Sequence, residues 1–237
     1  MQFFMNTPFK ILIFLLATTL TGCQTKSQVY NDLNDYGYKG KIKSITTKFY
    51  SNILQEKDKW EIQDTLIPRT IILNHFNEDG NFTRKTVTSQ NNSYQIIYDY
   101  SNKIKNGWKK IDNNGVVSEV GKYTYNENTG FSEISFDTIG VKKFQSNYSF
   151  SKSQRTRTLE DIGYNEDGST NFHSFSRFDD DAEGHLHKLA TIDKLKKTKE
   201  NFEFIIIEKD KHNNPLKILL IRNSKPIEIR KVTIEYK

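Results

Sequence analysis

The feature that most constrains this chain is a short unit that recurs along it. Phe76-Asn-Glu-Asp-Gly80, Ile111-Asp-Asn-Asn-Gly115, Phe136-Asp-Thr-Ile-Gly140 and Tyr164-Asn-Glu-Asp-Gly168 each set an apolar residue before Asn or Asp, two variable residues and a glycine. Tyr125 to Gly130 and Phe178 to Gly184 are looser copies, and Asp210 to Pro215 is a further one without the glycine. The Asn or Asp side chain hydrogen-bonds the backbone ahead of it, and the glycine takes the positive φ that sends the chain back. Gly80, Gly115, Gly130, Gly140, Gly168 and Gly184 are therefore the expected turn residues. Between them the apolar pattern has period two, as in Tyr94, Ile96, Tyr98 and Tyr100, in Phe202, Phe204 and Ile206, and in Val232, Ile234 and Tyr236. The runs are rich in Ile, Val, Thr, Tyr and Phe, which suit a pleated, half-buried surface. No amphipathic helix longer than three turns follows residue 40. The expected class is all-β, a stack of antiparallel hairpins in which each unit buries its apolar side against its neighbours.

At these residues the sequence resembles the YD-repeat, or RHS-like, proteins, whose unit reads Tyr-Asp-x-x-Gly before an outgoing strand. It is also similar to short Bacteroidetes lipoproteins that carry degenerate copies of that unit after an opening such as Gly40-Lys41-Ile42-Lys43-Ser44. The resemblance spans residues 40–237 and implies a twisted sheet of hairpins. The enclosing shell of the large family members does not carry over, because the chain is too short to close one and has no toxin domain.

The N-terminal end sets the compartment. Lys10 precedes the apolar run 11–20, whose ten residues rise only about 15 Å as a helix, half of what a membrane span requires. It reads as a signal peptide, with Met5 as an alternative start. Leu20, Thr21, Gly22 and Cys23 resemble the bacterial lipobox, in which the small residue before the cysteine admits the peptidase and the cysteine is acylated. Cys23 is the single cysteine, which excludes a disulfide framework and a multi-cysteine zinc site. The expected organisation is a signal peptide over 1–22, a lipidated Cys23 and tether over 23–39 ending in a short helix, and a β-hairpin domain over 40–237. Gln24 to Ser27 lack an aspartate beside the cysteine and an acidic run. By resemblance to sorting signals this favours an outer-membrane anchor facing the periplasm.

Composition narrows the partners. The formal charge of +6 drops to +5 without Lys10, and the basic and acidic residues are interspersed. In the envelope the available counter-charges are lipid headgroups, anionic glycans or an acidic protein rather than nucleic acid. Lys194, Lys196, Lys197 and Lys199 suit an exposed hairpin tip or an edge guarded against pairing.

Chemistry is sparse. There is no Gly-x-Ser-x-Gly elbow, no phosphate-cradling glycine loop and no His-Glu-x-x-His. His185 and His187, near Asp179 to Asp181, Glu183 and His173, are the one candidate metal set, but the segment reads better as an acidic turn followed by surface histidines, and no metal is expected. Glu160-Asp161 and Asp179 to Asp181 are the densest carboxylates, expected at turns. Trp60 and Trp108 head thirty aromatic residues, which serve either as core or as stacking platforms for sugars. No catalytic residue and no cofactor is expected. The expected function is a membrane-anchored envelope lipoprotein acting as a non-enzymatic binding or structural module. The alternatives are an immunity protein that neutralises a periplasm-delivered toxin, and a carboxylate- or metal-dependent glycan or lipid hydrolase.

Overall fold

In a computed structural model the protein is described over residues 31–57, 59–63, 67–126, 130–150 and 156–237. Leu20, Thr21, Gly22, Cys23 and the tether up to residue 30 lie outside the described residues. A one-turn helix, α1 (Asp32–Asp35), comes first, capped by Asn31, whose Oδ1 accepts from Asn34 N at 3.1 Å. The strands follow as β1 (Ile42–Tyr50), β2 (Ile53–Glu56), β3 (Lys59–Ile62), β4 (Thr70–Phe76), β5 (Phe82–Ser89) and β6 (Ser93–Ser101). Next come β7 (Ile104–Asp112), β8 (Val117–Asn126), β9 (Gly130–Asp137), β10 (Lys142–Phe150) and β11 (Thr156–Tyr164). The last are β12 (Thr170–Asp180), β13 (Leu186–Asp193), β14 (Thr198–Lys209), β15 (Pro215–Arg222) and β16 (Lys225–Tyr236).

Fourteen of these strands close into one antiparallel barrel in sequence order, with β2 and β3 left out as a separate hairpin. Closure is made by β1, which pairs with β16 from Ile42 opposite Tyr236 to Tyr50 opposite Ile229, and with β4 on its other side. The expectation of an open hairpin stack is corrected here. The hairpins are present, but the first and last strands meet, so the barrel has no free edge for lysines to guard. Of the two readings given for the lysines, the hairpin tip is the one found: Lys194, Lys196 and Lys197 lie in the exposed β13–β14 connection, turned by Asp193 Oδ1, which accepts from Leu195 N and Lys196 N, and Lys199 is within β14.

The recurring turns have one bonding pattern. At Asn77 to Asn81, Asn77 N donates to Asn81 O, Gly80 N donates to Asn77 O, and Asn77 Oδ1 accepts from Asp79 N and Asn81 N. The same backbone pair recurs at Asp112, Asp137, Asn165, Asp181 and Asp210. Gly80, Gly115, Gly140, Gly168 and Gly184 hold positive φ at these sites, and Asn213 (φ 64°) takes that position in the glycine-free copy. Gly130 has a different reason: it is the first residue of β9, and a Cβ there would lie 1.8 Å from the Tyr148 carbonyl oxygen.

The inner face is fixed by the segment 31–39. Leu33 N donates to Gly80 O beside β5, Arg157 on β11 donates to Asp35, and Gly37 packs against Gly184 and His185 between β12 and β13. In the closed order β5 and β12 are seven strands apart in either direction. A segment this short reaches both only by crossing the barrel mouth. It therefore lies inside the mouth formed by turns 77–81, 181–185 and 210–214, and Leu33 joins Ile42, Ile45, Phe76, Phe82 and Val232 in the buried core there.

Candidate functional site: the barrel lumen

Register carries the inner face around the wall. Opposite residues run Tyr123, Glu133, Ser146, Asp161, Ser174 across β8 to β12, and Ile45, Asn74, Lys85, Ile96 across β1 and β4 to β6. A circular barrel of this many strands, spaced about 4.8 Å and tilted about 40°, is roughly 25–30 Å between opposite backbones, too wide for its own side chains to fill. Accordingly most inner residues outside the plugged mouth remain half-buried, and Phe172 is 40 % accessible.

The two halves of the lumen differ. From β15 through β16 and β1 to β6 the wall is mainly apolar, with Ile218, Leu220, Val232, Ile234, Ile45, Ile72, Val87 and Ile96, and it also carries Tyr94, Tyr98, Asn74, Lys85 and the Arg230–Glu228 pair at 2.7 Å. From β7 to β12 it is aromatic and polar, with Trp108, Tyr123, Glu133, Ser146, Tyr148 and Asp161. Of the two readings given for Trp108, core or sugar platform, the structure shows the first: it is mid-strand and buried, and its indole lies over Gly121, where any Cβ would meet the ring at 2.1 Å. That placement lets Trp108 Nε1 donate to Glu133 Oε1 at 2.7 Å. Enclosure raises the Glu133 carboxyl above the usual range against the bonds from Trp108 and Tyr123, and raises Asp161 against its bond from Ser146. Enclosure also lifts the hydroxyls of Tyr98, Tyr123 and Tyr148 far above the ordinary tyrosine value.

The plug is latched by charge. Lys105 Nζ donates to Asp32 Oδ1 and Oδ2 at 2.8 and 2.9 Å, and Asp32 Oδ2 also accepts from Phe82 N at 2.7 Å. The ammonium lies 4.8 Å from the Tyr98 ring centre, 5.2 Å from Phe82 and 5.5 Å from Tyr123. Arg157 bridges Asp35 and Asp180, each at 2.9 Å. Asn214 accepts from Lys39 N and donates to Lys39 O.

The sequence-derived candidates fall elsewhere. His185 is 2 % exposed against the plug, with neither ring nitrogen hydrogen-bonded and Asp181 and Glu183 carboxylates 3.5 and 3.8 Å away. His187 is half-buried on β13, and His173 pairs with Glu160 on the outer wall. Among the described residues no group of three or more His, Cys, Asp or Glu is placed to hold a metal. Glu160 and Asp161, expected at a turn, are mid-strand on β11 and face opposite ways: Glu160 outward to Lys194 and His173, which hold it at about 2, and Asp161 into the lumen. Sequence reasoning missed Lys85, Asn74, Glu133 and the Asp32 to Lys105 latch. Their signal was a polar residue at the inward parity of an otherwise apolar strand.

The outer wall carries exposed Lys48, Lys109, Lys122, Arg177, Lys188 and Lys231. The same face exposes Ile97, Ile192, Ile205 and Ile207 between them, and near a bilayer midplane each such charged residue would cost about 2–4 kcal/mol. The β2–β3 hairpin lies against it at β15 and β16, where Glu61 pairs with Lys217 at 2.7 Å and Leu219 and Ile229 are buried. Among the described residues no helix is long and apolar enough to cross a membrane.

Neither a protein-family model nor a curated protein matches the chain. Among solved structures it is similar to a porin-like protein from Bacteroides uniformis, at 10 % identity and a TM-score of 0.46, covering 82 % of this chain and 96 % of that one. A porin-like protein from Bacteroides vulgatus compares at 10 % identity and 0.47, covering 84 % and 99 %.

Proposed function

We propose that this chain is a lipid-anchored envelope protein whose barrel holds a ligand in its lumen without chemical turnover. The observation that carries the reading is the arrangement of the wall: among the described residues a fourteen-strand barrel turns apolar and aromatic residues inward with a few enclosed polar groups between them, and segment 31–39 is seated in one mouth. Burying that inner surface is what a ligand would add. Cys23, acylated as the lipobox resemblance implies, stands eight residues before Asn31. A protein or anionic glycan partner remains the reading for the basic outer wall.

The test uses the neutral fluorophore N-phenyl-1-naphthylamine with protein purified from envelopes, in a Trp60→Phe background so that Trp108 reports. Saturable brightening with energy transfer from Trp108 is expected. Absence of saturable uptake would overturn the lumen reading, and loss of radiolabelled palmitate incorporation is the expected result of Cys23→Ser.

A further inference from the structure

Lys85 stands out on the lumen wall because of what surrounds it. By register its inner-face neighbours are Asn74 on β4 and Ile96 on β6 beside it, with Val87 next on its own strand and Ile72 diagonally across; Ile45 lies beyond Asn74 on β1. Among these neighbours the Lys85 ammonium makes no ion pair or hydrogen bond with any described residue. Glu133 attracts it only at longer range, and enclosure lowers its pKa. Asn74 is in the same position: neither amide atom is hydrogen-bonded among the described residues, and Oδ1 is fully buried. Polar groups taken from water are costly unless partnered. Two adjacent unpartnered groups, one cationic, enclosed among mainly apolar neighbours on the inner wall are the features of a headgroup site.

We propose that Lys85 and Asn74 form the headgroup subsite of an anionic single-chain amphiphile, a carboxylate on an alkyl chain. This rests on the reading of the lumen as a ligand chamber and names its ligand class. The carboxylate accepts from the Lys85 ammonium, a charge-assisted bond in an enclosed site, and from the Asn74 amide nitrogen, and a second ammonium hydrogen of Lys85 is left for the acceptor Asn74 Oδ1. The alkyl chain lies along Ile45, Ile72, Val87 and Ile96. The neighbouring lumen carboxylate does not compete for the ammonium at bonding distance, and no side chain other than Asn74 offers Lys85 a polar contact in its row. A cationic amphiphile would meet an unpaired ammonium here and is disfavoured.

Mature protein purified from envelopes in a bulky steroid-based non-ionic detergent is titrated calorimetrically with decanoate, decyl glucoside and decyltrimethylammonium. Decanoate is expected to bind at least tenfold more tightly than decyltrimethylammonium. Lys85→Met should weaken decanoate at least tenfold while leaving decyl glucoside unchanged, Lys85→Arg should retain most of the affinity, and Asn74→Leu should weaken decanoate severalfold. Thermal unfolding of each variant separates lost binding from lost folding. Equal decanoate affinity in folded Lys85→Met, or equal affinity for the anionic and cationic probes, overturns the subsite while uptake of decyl glucoside still supports the chamber. Failure of all three probes to bind overturns both.

Discussion

At the scale of single residues, the inner wall contains charges in two conditions, and each makes its own prediction. Asp32 and Lys105 are 2 % and 7 % exposed and fully paired, so removing one partner strands the other in a site that excludes water. Asp32→Leu is expected to lower unfolding stability by about 3–5 kcal/mol in a urea titration, and Lys105→Met in the same chain to restore most of the loss, because a buried pair exchanged for apolar groups is close to neutral. If the double variant is no more stable than Asp32→Leu, the latch is not the reason the plug is seated. Glu133 is in the other condition, its carboxyl raised by enclosure. A carboxyl with a raised folded-state pKa adds no penalty below its unfolded value near 4.5, and destabilises progressively as pH rises from there through the folded value. Glu133→Gln keeps an oxygen for the Trp108 indole and removes the charge. Thermal melts should therefore show the variant equal to the parent at pH 4 and more stable at pH 7; the reverse order would mean that the bonds from Trp108 and Tyr123 outweigh burial.

At the scale of elements, the turns were legible and the closure was not. Asn or Asp three residues before glycine acts within five residues, so its geometry at Asn77, Asp112, Asp137 and Asn165 follows from local chemistry alone. Asp181 shows what such a residue supports. Its Oδ1 accepts from Glu183 N at 2.8 Å and His185 N at 2.9 Å, and this turn is the surface Gly37 rests on. Asp181→Ala is expected to cost about 1–2 kcal/mol, Asp181→Asn much less, both read from urea unfolding; equal losses would show that carboxylate charge rather than turn bonding matters there. Strand parity was also in the sequence: Lys85 shares the face of Val87, and Asp161 the face opposite Glu160. The pairing of β1 with β16 was not, because it joins residues such as Ile45 and Ile234 that no local pattern connects. Without closure neither face could be named inner, so the polar residues among apolar ones read as solvated rather than enclosed. The one-turn helix was anticipated only as the end of a tether, since four residues carry too little periodicity to show that Asp32 points into a barrel.

At the scale of the whole molecule, the decisive property is which face of the wall is polar. Lys109 and Lys122 are exposed near the middle of β7 and β8, and Arg177 and Lys231 lie within β12 and β16. A wall crossing a bilayer needs an apolar outward band about 25 Å tall, and these residues fall within any such band. On the function proposed above, attachment to a membrane comes from outside the barrel, through Cys23. The two sources of membrane affinity separate cleanly if residues 1–23 are exchanged for a cleavable leader that leaves no cysteine. The parent chain should stay with membranes through a high-salt wash and enter the detergent phase on Triton X-114 partitioning. The exchanged chain should be released into the aqueous periplasmic fraction, fold without detergent and keep the barrel's cooperative unfolding. A basic outer wall adds an attraction to anionic headgroups that salt screens within about 10 Å at 0.1 M, so residual binding of the exchanged chain should vanish between low and high ionic strength. Retention of the exchanged chain in membranes at high salt would show that the wall itself enters lipid, and the assignment of its outer face to water would fall with it.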